Sequence, residues 1–286
     1  MIDATFGAGS VGETTYTLDL LRGMRRGMIV LADRNFASQA LLAAVRDTGA
    51  HLLVRVKNSR NLPVCARLPD GSYLCRMGSV EVRVLCCEIT ITTSAGARTE
   101  TYNLVTTLLD PDCPATEIVR LYHERWEIET AFLELKTTLL GGRVLRARTR
   151  AGSRREIYAL LVTYQALRVA ISDATLGCPD VDPDRASFTL ALKATRDQLI
   201  HAAGVIETTV IDLVGIIGEH VLDHLMPARR LRTNPRVVKR AISNFVTRTA
   251  RGRTRGPSLK ATVAINILTD IGPYNTTHAL TTRLWG

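Results

Sequence analysis

Four polar side chains between residues 122 and 136 have types and spacing that suit chemistry at a phosphate group. Tyr122, Arg125, Glu129 and Lys136 lie within about 60° of one another on an α-helix that turns about 100° per residue. This stripe places one carboxylate among groups that bind phosphate. Charge runs are usually solvated faces, so the alternative is a surface helix with ordinary charges.

An apolar band is predicted directly beside this stripe on the same helix, at about 220° to 280° from Tyr122. Its members are Leu121, Ile128, Phe132, Leu135 and Leu139. Four other side chains fall elsewhere and are predicted to face solvent: His123, Glu124, Glu127 and Glu134. The band would place Glu129 at the rim of a hydrophobic core.

A second carboxylate closes an apolar run. Residues 28–32 are all apolar and Asp33 follows them, which predicts a strand buried on both faces with an acid at its carboxyl end. Ligand and metal sites in α/β sheets lie outside such strand ends. The alternative is that Asp33 is only the N-cap of the next helix.

The elements that must position these side chains alternate along the chain. The pattern predicts a helix over 37–48, a strand over 51–57 and a helix opened by Pro114 and Thr116. Residues 58–112 change to alternating valines and Thr-rich segments, which predicts antiparallel hairpins. This order indicates a helix-covered α/β sheet with a β-rich insertion before the helix of Glu129.

Charge and cysteine usage restrict the class of protein. The net charge of +10 favours a polyanionic partner. Arg143, Arg146 and Arg148 belong to a run of six arginines within residues 143–155, and residues 225–269 contain eleven basic residues and no acid. The six cysteines form no C-x-x-C pair, which favours a reduced protein over a secreted one. No apolar run approaches the roughly 18 residues of a membrane span.

The spacing Y-x2-R-x3-E-x6-K from Tyr122 to Lys136 resembles the motif of bacterial insertion-sequence transposases of the IS-four type, whose DDE domain has a ribonuclease-H-like fold. Residues 31–36 resemble the segment of the family's second catalytic aspartate, and residues 145–167 resemble its region after the glutamate. A β insertion before the glutamate helix is also a family feature. The resemblance covers roughly residues 1–170.

The resemblance implies a role for each of these residues. Asp33 and Glu129 would be the second and third acids of a D-D-E triad that holds two divalent ions, expected to be Mg²⁺. The ions would activate a water or a 3′ hydroxyl for in-line attack at a DNA phosphodiester. Tyr122, Arg125 and Lys136 would contact phosphates at the element's ends, and Arg143, Arg146 and Arg148 would add a basic DNA-binding patch.

The implied partners are double-stranded DNA and the terminal repeats of a transposon. Dimerisation is expected from the family resemblance only, no membrane partner is expected, and the expected location is the bacterial cytoplasm at the nucleoid. The predicted segments are a partial ribonuclease-H-like core from its third strand onward, a β-rich insertion, the remainder of the core, a helical region and a basic, poorly ordered tail. Their predicted bounds are 1–57, 58–112, 113–175, 176–225 and 226–286.

The beginning of the sequence departs from the family pattern. Residues 1–7 are predicted to be the end of a strand, and Ser10 with Glu13 predicts a capping box at the start of a helix. Only 29 residues separate Asp3 from Asp33, too few for the intervening strands and helix, so Asp3 is a poor candidate for the first acid. We therefore expect an N-terminally truncated transposase, from a decayed gene or a start codon assigned too late.

Two functional hypotheses follow. The first is a transposase fragment that binds DNA and, when complete, carries out Mg²⁺-dependent cleavage and strand transfer. The second is a catalytically inactive DNA-binding remnant that inhibits intact transposase. An unrelated basic α/β protein with a chance motif is a third alternative.

Overall fold

The computed structural model describes most of the chain, and the chain divides into two units. The first unit comprises Met1–Arg125 with Leu231–Gly286, and the second comprises Trp126–Arg230. The described residues are 3–7, 10–203, 213–227, 232–233 and 259–269.

The first unit is built on one mixed sheet. Its strands are β1 (Ile29–Ala32), β2 (His51–Val56), β3 (Ala66–Arg67), β4 (Tyr73–Met77), β5 (Val80–Thr93), β6 (Gly96–Thr106), β7 (Arg232–Thr233) and β8 (Leu259–Ile267). The order is β1-β2-β6-β5-β4-β3, and β8 pairs with both β5 and β7. β1 and β2 are parallel, whereas every other pair is antiparallel. The fold class is therefore mixed α/β, as expected.

The sheet carries one helix packed on each face. The first unit's helices are α1 (Glu13–Tyr16), α2 (Gln39–Asp47) and α3 (Ala115–His123). α2 contributes Leu41, Leu42 and Val45 to a core cluster that includes the even-numbered positions of β2. α3 packs against a second cluster that includes Leu53. Both ends of the predicted α2 and the start of α3 after Pro114 are confirmed within about two residues.

β1 ends before Asp33, as predicted, but it is not buried on both faces. All four of its residues are only partly buried. The reason is that, among the described strands, β1 lies at the edge of the sheet and has a partner on one side only. The neighbouring β2 is the strand whose faces are both covered, because Leu52, Leu53 and Val54 have no exposed surface.

The antiparallel hairpins predicted between residues 58 and 112 are present. β5 and β6 pair continuously from Arg83 opposite Thr106 to Thr93 opposite Gly96. β6 also pairs with β2, so this β-rich stretch extends the same sheet that carries Asp33.

β8 was not predicted. It pairs with the outer half of β5, from Cys87 opposite Ile267 to Thr93 opposite Ala261. The segment falls in the region predicted to be a poorly ordered tail, and that prediction is wrong for residues 259–267. The remaining parts of the predicted tail, including residues 234–258 and 270–286, lie outside the described residues.

The strand predicted at the beginning of the chain is wrong, since residues 3–7 have no regular structure. Asp3 forms an ion pair with Arg22, with 2.8 Å between Oδ2 and Nε. The predicted capping box is also absent, because the N-cap of α1 is Gly12 and no side chain caps it. α1 is one turn long and continues into a 3₁₀-helix over Thr17–Gly23.

The described part of the second unit is helical. It contains α4 (Glu127–Leu133), a π-helical segment (Glu134–Leu139), α5 (Arg150–Leu176), α6 (Phe188–Ala203) and α7 (Leu213–Asp223). Its core includes Tyr164 and Leu167 of α5, Ala191 of α6 and Val221 of α7. Two apolar side chains of α5, Tyr158 and Val162, are exposed.

Candidate functional site

Asp33 is placed by the end of β1 and by the turn that follows it. Its Oδ1 accepts a hydrogen bond of 2.7 Å from the backbone N–H of Arg34, which caps a 3₁₀ turn over Arg34–Phe36. The capping alternative from the sequence is therefore correct as a local geometry. The cap uses only Oδ1 of Asp33. The side chain remains 54% exposed, and its Oδ2 lies near another partner.

That partner is Arg125, whose Nη1 lies 4.0 Å from Oδ2 of Asp33. Arg125 follows α3 in a 3₁₀ turn over Glu124–Trp126, and its guanidinium carbon lies 5.7 Å from the centre of the Tyr122 ring. Its side chain is only 17% exposed. The structure thus brings together Asp33 and two of the motif residues.

Tyr122 attaches the end of α3 to the end of β1. Its ring is buried with Ile118 and Val119 in the cluster under α3, and its hydroxyl donates a 3.2 Å hydrogen bond to the carbonyl of Ala32. Burial raises the pKa of Tyr122, partly offset by the charge of Arg125, so the hydroxyl remains a donor at neutral pH. A DNA contact by this side chain stays a prediction, whereas its hydrogen bond beside Asp33 is a structural role.

The other end of α3 is fixed by a buried ion pair that sequence reasoning missed. The backbone N–H of Ala115 donates a 2.8 Å hydrogen bond to Oδ2 of Asp70, which also pairs with the guanidinium of Arg83. Arg83 is fully buried on β5 and donates to Ser72 Oγ at 2.8 Å and to the Asp110 carbonyl at 2.7 Å.

Burial alone would raise the pKa of Asp70. The hydrogen bonds from Ser72 and Ala115 and the charge of Arg83 outweigh that effect, so the pKa lies below its ordinary value. Asp70 therefore stays ionised beside the N-terminus of α3, where negative charge is favourable. The sequence signal was an arginine within the apolar pattern of β5, which needs a buried partner.

Arg55 is a further cation on the α3 side of the sheet that the sequence analysis did not single out. It lies on β2, directly after the pair Ala32–Val54 in the parallel register with β1. Its guanidinium carbon is 4.0 Å from the centre of the Tyr102 ring. The signal was a single arginine in the otherwise apolar run of residues 52–56.

In the second unit, Glu129 lies in the first turn of α4 and its side chain is exposed. Lys136 lies in the π-helical segment, is exposed, and has its Nζ 4.8 Å from the centre of the Phe132 ring. The predicted single helix is therefore wrong in detail. Residues 115–139 change from α to 3₁₀, back to α and then to π, so one fixed angle per residue does not describe them.

These changes also alter the predicted faces. Ile128 and Phe132 were expected in a core but are 54% and 49% exposed. Leu135 and Leu139 do pack on the core of the second unit. Glu134 was expected in solvent but is largely buried, with 2.6 Å between its Oε2 and Nη2 of Arg168.

The predicted basic patch is a loop with exposed arginines and an anchored backbone. Arg143, Arg146 and Arg148 are all exposed. The backbone N–H groups of Arg146 and Ala147 donate to Oε2 of Glu156 at 2.9 and 3.2 Å. One carboxylate therefore fixes the main chain of the loop while the guanidinium groups remain available to an anion.

The described residues contain no group of three or more His, Cys, Asp or Glu side chains that could hold a metal ion. Asp33 belongs to the first unit and Glu129 to the second, and each has the oxygen ligands that hard divalent cations prefer. No helix in the described parts of the chain is long and apolar enough to cross a membrane.

Comparisons with known proteins identify relatives. The sequence profile of a family described as "Transposase DDE domain" matches residues 1–165, which is more than half of the chain. The chain is also 24% identical over 246 residues to the transposase InsG for insertion sequence element IS4 of Escherichia coli strain K12. That match covers 82% of this chain and 56% of the relative, so the chain spans little more than half of that relative's length.

Proposed function

Because the chain belongs to the family of transposases with a DDE domain, we propose that it acts in DNA transposition at the ends of an insertion sequence. The supporting observation is the arrangement at the end of β1. There the half-exposed carboxylate of Asp33 lies 4.0 Å from the guanidinium of Arg125, with Tyr122 bonded to the preceding residue.

The proposed core is ribonuclease-H-like. The parallel β1–β2 pair, the antiparallel strand β6 beside it and helices on both faces support a ribonuclease-H-like core. The proposed segments remain 1–57 and 113–175 for the core, 58–112 for the β-rich insertion, 176–225 for a helical region and 226–286 for a basic region.

Asp33 and Glu129 would hold Mg²⁺, since their carboxylates suit a hard divalent cation. When bound, a pair of such ions supplies an activated water or 3′ hydroxyl and stabilises the leaving oxygen at a DNA phosphodiester. The backbone N–H of Arg34 fixes one oxygen of Asp33, and the other oxygen lies 4.0 Å from Nη1 of Arg125.

The cationic side chains would position the DNA. Arg125 can donate two hydrogen bonds to one phosphate, because its guanidinium is planar and always charged. Lys136 offers an exposed point charge, and Arg143, Arg146 and Arg148 add exposed positive charge on an anchored loop. Neutral variants at Arg125 and Lys136 are expected to weaken DNA positioning more than metal binding.

The test is cleavage of a labelled duplex that carries the terminal repeat flanking this coding sequence, with the full chain and Mg²⁺. Asp33→Asn and Glu129→Gln should each reduce the cleavage rate by on the order of a thousandfold, because a lost metal ligand removes several kcal/mol of transition-state stabilisation. Glu127→Gln is the control on the same helix turn and should leave the rate unchanged. Equal rates for Glu129→Gln and wild type would contradict the assigned role.

A second candidate is a DNA-binding protein without cleavage activity that inhibits intact transposase. The observation in its favour is the basic loop, whose arginines are exposed and whose backbone is held by Glu156, because such a loop can bind DNA without cleaving it. Binding of the terminal repeat without cleavage, unchanged by Glu129→Gln, would select this candidate. A cleavage rate that depends on Mg²⁺ and on Glu129 would reject it.

A further inference from the structure

We propose that Arg55 is a phosphate-binding residue beside Asp33, and that it contacts the DNA backbone together with Arg125. This inference rests on the proposed function, because a contact between Arg55 and DNA requires that the chain binds DNA at the Asp33 end of the sheet. Arg55 lies outside the motif of residues 122–136. Its strand register, its lack of a partner among the described residues and its fixed orientation support this role.

Strand register puts Arg55 level with Asp33. β1 and β2 pair in parallel as Leu31 with Leu53 and Ala32 with Val54, so the next residues along the two strands are Asp33 and Arg55. Paired positions of parallel strands direct their side chains to the same face of a sheet, and neighbouring strands lie about 4.8 Å apart. That face is the one on which α3 packs, because Leu31 and Leu53 contribute to the same cluster as Tyr122.

The guanidinium of Arg55 lacks a partner of the usual kind. Its Nε is buried and makes no hydrogen bond among the described residues, and no carboxylate described in the chain forms an ion pair with it. Buried donors almost always have an acceptor, so the guanidinium of Arg55 has hydrogen-bonding capacity that the described residues do not satisfy. An anion with several acceptor oxygens, such as a phosphodiester, meets that need.

The orientation of Arg55 is fixed in advance. Its guanidinium carbon lies 4.0 Å from the centre of the Tyr102 ring, and the Tyr102 hydroxyl donates a 2.8 Å hydrogen bond to Oε2 of Glu100. An arginine stacked on an aromatic ring loses little further freedom when it binds a phosphate. Tyr102 is therefore a positioning residue for Arg55.

Arg83 of the same sheet has a structural role and provides a comparison for Arg55. It is fully buried, pairs with Asp70 and donates to Ser72 and to the carbonyl of Asp110. Arg55 has neither the carboxylate nor those acceptors. Together with Arg125, it gives the Asp33 end of the sheet two guanidinium groups for one carboxylate, which is a net positive charge suited to a phosphate.

The experiment measures binding of a fluorescently labelled duplex with the terminal repeat to the full chain over a range of salt concentrations, by anisotropy. Arg55→Met, which keeps an apolar stem, should weaken binding by about tenfold or more. It should also reduce the slope of log affinity against log salt by about 0.9, the change expected for one lost phosphate contact. Arg55→Lys should keep the slope and lose part of the affinity, because it retains the charge but not the planar fork.

Arg76→Met is the matched control, because Arg76 is an exposed arginine on β4 whose loss changes the net charge equally. If Arg55→Met unfolds the chain, Arg55→Lys and Tyr102→Leu provide the decisive measurement, with thermal melting as the check on folding. A wild-type chain that binds the duplex while Arg55→Met or Arg55→Lys behaves like Arg76→Met would overturn this inference alone. A wild-type chain that binds no duplex would overturn the proposed function first.

Discussion

The two carboxylates proposed to bind metal differ in how the chain holds them. Asp33 follows a strand, accepts a backbone hydrogen bond, and lies beside the guanidinium of Arg125. That guanidinium is near the ring of the buried Tyr122. Glu129 lies on an exposed helical turn, and its carboxylate has no hydrogen bond or ion pair among the described residues. The difference shows that one carboxylate is oriented by its own unit before any ligand binds, whereas the other relies on the helix backbone alone.

The hydrophobic cores of the two units also differ, because apolar side chains are more completely buried in the unit of Asp33 than in the unit of Glu129. The first unit has aliphatic side chains with no exposed surface on both faces of β2, including Leu52 and Leu53. The described part of the second unit leaves Leu133, Val162 and Leu176 at least 60% exposed. Burial of apolar surface is the main source of stability, so changes near Asp33 should alter unfolding more than changes near Glu129.

The largest effect on stability is expected from the ion pair that fixes the start of α3. Asp70→Ala leaves Arg83 charged and buried without its carboxylate, which should destabilise the first unit by about 3–5 kcal/mol. Urea denaturation measures the loss, and Asp112→Ala, at an exposed position nearby, is the control that should change little. A loss below about 1 kcal/mol would mean that the network does not hold α3 in place.

The same carboxylate should make stability depend on acidity. The pKa of Asp70 is lower in the folded chain than its ordinary value of 3.8, so its contribution is complete above that value. It is lost as the pH falls below 3.8 and through the lower folded pKa. The difference in unfolding free energy between wild type and Asp70→Ala should therefore be constant at neutral pH and shrink in acid. A difference that grows in acid would contradict this sign.

A smaller effect is expected at the bond between α3 and β1. Tyr122→Phe removes one hydrogen bond to Ala32 and should cost about 1 kcal/mol. Tyr73→Phe is a matched control, because it removes a buried hydroxyl that donates to the carbonyl of Leu62 on the other core cluster. Both variants should lose similar stability, but only Tyr122→Phe should slow cleavage of the terminal-repeat duplex. Equal cleavage rates would show that Tyr122 does not position the end of β1.

The smallest effect compares the two carboxylates directly. Asp33→Ala removes the cap of the turn after β1 and should cost about 0.5–1 kcal/mol, whereas Glu129→Ala should lie within about 0.5 kcal/mol of wild type. Thermal melting of the two variants without metal provides the measurement. Equal losses at the two positions would remove the distinction between an oriented and an unsupported carboxylate.

Local patterns predicted the parts of the fold that depend on local physics. The apolar run that ends at Asp33, the helix α2 and the hairpin of β5 and β6 are all visible as periodicity in the sequence. β8 could have been found in the same way, because Ala261, Val263, Ile265 and Ile267 alternate with other residues. The strand was missed because the basic residues before it led to the prediction of a poorly ordered tail for the whole region.

Other features could not be read from local sequence because distant residues create them. The Asp70–Arg83 pair joins a turn to a strand, and Arg55 on β2 contacts Tyr102 on the neighbouring strand β6. The motif helix was predicted with ideal geometry, yet Arg125 lies in a 3₁₀ turn and Lys136 in a π-helical segment. Propensity does not report such changes in hydrogen bonding, because tertiary contacts decide them.

The pairing of β8 with β5 has a consequence for how the chain is made. About 170 residues separate Thr93 from its partner Ala261, so the outer half of β5 lacks β8 as a neighbour until that many further residues have been synthesised. At roughly 5–20 residues per second, the ribosome needs about 10 to 35 s to cover that distance. During this interval the nascent chain presents an open strand edge, which makes it a substrate for chaperones and for association with other unfinished copies.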